Sequence, residues 1–119
     1  MRDYHRLEIW SRAHAAAIAI HDAGRRMRGN NYASLRSQLT RAADSIAATI
    51  VEGCGASTGR EFARFLDMSI KSASETEYHL LSAKDRGALA PQLWQQLSSE
   101  VEQIRRMTYA YRKRLLEGE

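Results

Sequence analysis

Apolar positions recur along this chain at spacings of three, four and seven residues and do not alternate over any length, a pattern that predicts helices and no strands. Glycine-bearing turns and the single proline, Pro91, punctuate it into four helices, over about residues 7–27, 35–54, 59–86 and 91–116. On the first, Ile9, Ala13, Ala16, Ile20 and Met27 form one stripe, and Trp10, His14, Ala17 and His21 form a second beside it. An arc that wide predicts more than one neighbour. Gly24 and Gly29 loosen its end. The second helix opens at Ser34, read as an N-cap, and its inner stripe is Leu35, Leu39, Ala42, Ile46, Ile50 and Cys54. Gly53 and Gly55 read as a left-handed terminus. The third opens after Ser57-Thr58-Gly59, runs an inner face through Phe62, Leu66, Ile70, Ala73 and Leu80, and ends near Gly87. The fourth carries Pro91 in its first turn, where a missing amide hydrogen costs little. Its seam of Trp94, Leu97, Val101, Ile104, Thr108, Tyr111 and Leu115 keeps a heptad spacing. Only Thr108 breaks that seam, and its hydroxyl can bond the preceding turn.

Short connections make consecutive helices antiparallel, so the fold expected is all-α, an up-down-up-down four-helix bundle in one domain. A continuous long coiled coil is the alternative, and the glycine turns argue against it. Many inner positions, above all on the second helix, are small. Each buries little surface at about 25 cal/mol per Å², so a lone bundle of this size is marginal. The second stripe of the first helix, with Tyr4, Trp10 and His14, is therefore either an oligomer contact or part of a wider monomer core.

No apolar run approaches the roughly 18 residues of a membrane span, and the start lacks the pattern of a signal peptide. The lone Cys54 cannot form an internal disulfide. These features point to the cytoplasm and away from a membrane.

Charge adds direction. The net charge is +4, the pI about 9.6, and the bases are fifteen arginines against three lysines. Arginine forms planar bidentate contacts with phosphate and carboxylate, which leans toward nucleic acid or an acidic partner. A solvated helical surface with arginine at the helix ends has the same composition. In an up-down bundle, one end gathers Arg2, Arg6, Arg12, Arg60, Arg64, Arg105, Arg106, Arg112, Lys113 and Arg114. It also gathers Asp3, Glu8, Glu52, Glu61, Asp67, Glu117 and Glu119. The other end has Arg25, Arg26, Arg28 and Arg36 with Lys84 and Arg86 opposite, and only Asp22 and Asp85 as acids. The candidate nucleic-acid contacts are Arg25, Arg26, Arg28 and Arg36, with Arg105, Arg112 and Arg114 on the fourth helix. There Tyr109 and Tyr111 could stack on bases, although Tyr111 also fits the seam.

Catalytic chemistry finds little footing. Glu75 and Glu77 could share acid and base roles, but no nucleophile or phosphate loop accompanies them. The reading favoured is a partly buried polar network of Arg41, Glu75 and Glu77 that sets helix register. No Glu-x-x-His of the di-iron bundles occurs, so no metal or other cofactor is expected. His14, His21 and His79 fit core or interface roles, and Cys54 fits packing.

The residues of the central hairpin carry a resemblance. Leu7-Glu8-Ile9-Trp10, the segment Tyr32 to Gln38, Arg41-Ala42-Ala43, Ser45-Ile46, Ile50 and Glu52-Gly53 are similar to the four-helix-bundle proteins encoded in intervening sequences of bacterial 23S ribosomal RNA genes. Glu61-Phe62, Arg64-Phe65-Leu66, Ser72, Glu75 and Glu77 extend the likeness into the third helix. Ala47 and Thr49 stand where that family commonly has Pro and Asn, which fits a straighter second helix. The resemblance implies a homopentamer without enzymatic activity and a nucleic-acid or ribonucleoprotein role. A related branch serves as the accessory protein of diversity-generating retroelements. The function expected is a non-enzymatic scaffold that engages RNA or DNA. The alternative is a protein-interaction module, such as an accessory subunit of a reverse transcriptase.

Overall fold

The structure, a computed structural model, describes residues 2–118; Met1 and Glu119, the latter one of the acids counted above, lie outside the described residues. Its helices are α1 (Glu8–Arg25), α2 (Ala33–Cys54), α3 (Gly59–Asp85) and α4 (Pro91–Leu116), with 3-10 turns at Tyr4–Arg6 and Asn30–Tyr32. Each helix packs on the next, and α1 closes the ring against α4, so the molecule is an up-down-up-down four-helix bundle, 47 × 20 × 19 Å. No strand occurs among the described residues.

The helix ends show where local chemistry overrode simple pattern. α1 stops at Arg25 rather than near Met27, because the amides of Arg26 and Met27 bond back to Ala23 and Gly24 at 3.0 Å. That tight turn folds Met27 into the core, 1% exposed, and Gly29 completes the reversal at φ +94°. Ser34 is not an N-cap: the Asn30–Tyr32 turn runs directly into α2, and the Ser34 hydroxyl instead accepts a bond from Gln38 Nε2 at 2.9 Å.

Gly53 and Gly55 differ from expectation for a physical reason. Gly55 sits at φ −82°, in the right-handed region. Gly53 is a helical residue whose missing side chain admits α3. A Cβ there would lie 2.6 Å from Phe62 Cδ1 and 2.8 Å from Phe65 Cβ. The glycine serves close approach, not a left-handed turn. The last carbonyls of α2 are met by the amides of Gly55 and Ala56, and Cys54 O accepts from the amide of Arg2 at 3.0 Å. Across the joint, Thr58 Oγ1 accepts from the Glu61 amide and Glu61 Oε1 accepts from the Ser57 amide, both at 3.1 Å. This pairing is close kin to the capping box.

The α3 seam also needs correction. Phe62, Leu66, Ser69, Ala73, Thr76, Leu80 and Ala83 are buried in strict steps of four and three, while Ile70 lies half-buried at the border with solvent. Ser69 and Thr76 are tolerated inside because their hydroxyls are satisfied: Ser69 donates to Ile46 O on α2 at 2.8 Å, and Thr76 donates to Ser72 O at 2.7 Å. Thr108 on α4 does the same toward Ile104 O at 2.7 Å.

A polar clamp braces α1 against α4. Arg12 donates through Nε and Nη2 to the two oxygens of Glu100 at 3.0 and 2.8 Å, and Nη2 also reaches Gln103 Oε1 at 2.7 Å. The bond to Arg12 holds the Glu100 carboxyl below the ordinary 4.5 of a glutamate. A folded-state value below the unfolded one gives stability that is complete above the unfolded pKa and lost as pH falls through the folded one. Glu100→Gln should therefore cost about 1 kcal/mol at pH 7, a figure discounted for partial exposure. Urea unfolding should show that difference shrinking as the pH is taken below the ordinary glutamate range. A penalty independent of pH would assign the loss to packing instead.

Candidate nucleic-acid interface

The two ends of the bundle hold the arginines in different ways. At the end where α1 meets α2, Arg25 closes α1 and Arg28 lies in the following turn; both are exposed and neither forms an ion pair among the described residues. Arg26 reaches Asp22 Oδ2 at 3.4 Å, and Lys84 reaches Asp85 Oδ1 at 3.5 Å while lying 4.2 Å over the Trp94 ring. The two acids of this end are thus already matched. Cations at a helix C-terminus also complement its dipole, so part of this placement is structural.

Arg36, grouped with these residues by sequence, has a different duty. It is half-buried, and its guanidinium donates to the carbonyl of Met27, tying the start of α2 to the end of α1. Gly24 makes room for it: a Cβ there would lie 3.4 Å from Arg36 Cγ. Arg86 is held similarly, with Nη2 donating to Asn31 O at 3.3 Å, while Tyr32 donates its hydroxyl to Arg86 O at 3.2 Å.

On α4 the expected contacts divide. Arg105 is half-buried and donates from Nε to Glu77 Oε2 at 2.6 Å, and that carboxylate raises the guanidinium pKa. A side chain so held is a brace between α3 and α4. Arg112 lies 4.0 Å from Asp67 Oδ1, an ion pair too long for a hydrogen bond, and its Nε is buried without a hydrogen-bond partner. Arg114 lies 5.4 Å over the Tyr111 ring. Tyr111 also packs edge-to-face on Phe62, with centroids 5.8 Å apart, so it belongs to the seam; Tyr109 is 56% exposed. Arg12, Arg105 and Arg106 brace neighbouring helices or turns instead of adding to an open end, pairing with Glu100, Glu77 and Glu102.

The network of Arg41, Glu75 and Glu77 is not formed as read. Arg41 and Glu75 do face the same groove between α2 and α3, about 240 Å³ in volume and lined also by Gln38, Ala42, Ser45 and Ser72. Both are exposed, however, and Glu75 pairs with His79 at 3.2 Å, one turn along its own helix. Glu77 points away from the groove to Arg105. Between α2 and α3 the polar contact that does form is made by small residues, the Ser72 hydroxyl donating to Ser45 Oγ at 2.8 Å. The two carboxylates therefore do not converge on one point.

Tyr4, Trp10 and His14 do come together, joined by His5, which sequence reasoning did not single out. Tyr4 stacks on His5 at 4.2 Å and meets Trp10 edge-on at 4.9 Å, and Trp10 stacks on His14 at 5.0 Å with the planes 9° apart. Asp3 holds His5 in place, accepting from its amide at 3.0 Å and facing Nδ1 at 2.8 Å. The Asp3-x-His5 spacing is the only signal that could have shown this.

No group of three or more His, Cys, Asp or Glu among the described residues is placed to hold a metal ion. Burial raises the Cys54 thiol pKa, which favours an inert thiol. No helix among the described residues is long and apolar enough to cross a membrane.

The fold and its arginine-bearing ends define a small all-α bundle protein. The chain belongs to the 23S rRNA-intervening sequence protein family, whose model matches residues 5–110. Its fold is similar to the crystal structure of a protein of unknown function from the S23 ribosomal protein family of Bacteroides thetaiotaomicron. The TM-score is 0.82 at 20% identity, over 88% of this chain and 98% of that one. At that identity the likeness speaks for the fold alone. No curated protein matches the sequence.

Proposed function

We propose that this protein is a non-enzymatic, cytoplasmic scaffold that assembles with copies of itself and engages nucleic acid through the end bearing Arg25, Arg26 and Arg28. The observation that carries this reading is the pair Arg25 and Arg28, exposed and, among the described residues, without ion pairs, while the acids beside them, Asp22 and Asp85, pair with Arg26 and Lys84. Guanidiniums without an internal ion pair suit phosphate, because they contact it bidentately without first breaking such a pair. The oligomer in this reading is the ring of five that the resemblance implies. Five copies of a weak site on one ring gain affinity through effective concentration. The separate duties of Glu75 and Glu77 speak for a scaffold over a carboxylate-pair enzyme.

The test is charge reversal. Arg25→Glu/Arg28→Glu should weaken binding of labelled RNA or DNA at physiological salt at least tenfold in fluorescence anisotropy. The control, Lys71→Glu/Arg106→Glu, changes net charge equally but at paired positions on the bundle's flank, and should do far less. Circular dichroism checks that both variants fold. Equal loss in the two variants would mean that only net charge matters, and no loss in either would move the search to protein partners.

A further inference from the structure

We infer that the outer face of α1 is a stacking platform for a single-stranded stretch of nucleic acid, with His14, backed by Trp10, as its base-binding ring; this rests on the nucleic-acid reading above. On a helix of about 3.6 residues per turn, Trp10, His14, Ile18, His21 and Arg25 fall within about a quarter of the circumference. From His14 to Arg25 this row runs about 16 Å, at about 1.5 Å per residue. It therefore leads from the aromatic cluster to the unpaired arginines.

The platform is built and anchored. Tyr4 and Trp10 pack against the hydrophobic core, so their rings are fixed from below. Trp10 passes that order outward to His14, whose ring lies nearly parallel to it and whose only ring neighbour among the described residues it is. His14 is exposed, and one turn further Ile18 is 57% exposed. A flat base laid on the outer face of the imidazole would continue the stack and cover the Ile18 side chain. Stacking of this kind tolerates any base, because every base has a π-face.

The far end of the row suits a phosphate backbone. His21 Nε2 lies 3.0 Å from both oxygens of Asp44, so the acid that α2 contributes to this edge is held by a ring contact. Asp22 pairs with Arg26, so Arg25 at the end of the row has no ion pair among the described residues. A duplex keeps its bases stacked inside and offers nothing to His14, so the platform selects single strands.

The experiment compares a labelled single-stranded RNA, the DNA of the same sequence, and the RNA duplex, against the parent protein and three variants. His14→Ala should weaken both single strands about tenfold or more, within the range measured for losing one stacked base. It should leave duplex binding and the salt slope unchanged. His14→Phe, which keeps an aromatic ring, should restore most of the affinity. Arg25→Ala/Arg28→Ala should instead weaken all three ligands and flatten the salt slope. If His14→Ala binds single strands like the parent while the arginine variant fails, the platform is wrong and the basic end stands. If neither variant changes binding, the nucleic-acid reading fails with it. If His14→Ala alters the sedimentation of the free protein but not its affinity, the face is a contact between copies, and the inference is overturned.

Discussion

Phe62→Ala should destabilise the fold by about 3–5 kcal/mol, the usual cost of truncating a fully buried Phe. The ring is 0% exposed and sits where three elements meet. It packs edge-to-face on Tyr111 of α4, lies 4.7 Å beneath the Arg2 guanidinium, and abuts Gly53 of α2. Truncation removes these contacts together and leaves a cavity at the joint between α2 and α3. Small domains have only about 5–15 kcal/mol in total, so a marginal bundle would lose much of its stability. Urea unfolding monitored by circular dichroism measures this directly. A loss under about 1 kcal/mol would mean that the joint repacks freely.

Gly53→Ala should also destabilise, although alanine is the better helix former by about 1 kcal/mol. The new methyl group would meet Phe62 Cδ1 at 2.6 Å and Phe65 Cβ at 2.8 Å. Neither is the loose end of a flexible side chain, so the helices themselves must part. Overpacking of this kind costs about 1–3 kcal/mol and occasionally more. The net loss expected is about 1–2 kcal/mol for alanine and larger for Gly53→Val. Because Phe62 supplies the closest clash, Gly53→Ala should cost less in a Phe62→Ala background, and this non-additivity is the signature of direct contact. A gain in stability from Gly53→Ala would show that close approach is not the role of this glycine.

These two residues also show how far the sequence was legible. Spacing found all four helices, the α4 seam and the first stripe of α1, because apolar periodicity directly records which face is buried. It misread Ile70 as inner and passed over Ser69 and Thr76. A buried hydroxyl that bonds a carbonyl looks polar in sequence and behaves as core in the fold. It read Gly53 as a turn glycine, since the need for close approach lies on another helix. Arg25, Arg26 and Arg28 are grouped by their adjacency in the chain, and topology assigns them to one end of the bundle. Which arginines stay unpaired could not be read, because Arg12, Arg36 and Arg105 find partners at sequence separations of 88, 9 and 28 residues. The Arg41 to Glu75 level was right, but the outward tilt of both side chains left a polar groove where a buried network was expected.

The most direct measurement is the affinity of the purified protein for single-stranded RNA across a salt series, run beside Arg25→Glu/Arg28→Glu. Log affinity should fall linearly with log salt, and the slope should shrink in the variant by about 1.4, two phosphate contacts at about 0.7 each. Parallel lines, with the variant as salt-sensitive as the parent, would contradict a nucleic-acid contact at this end of the bundle.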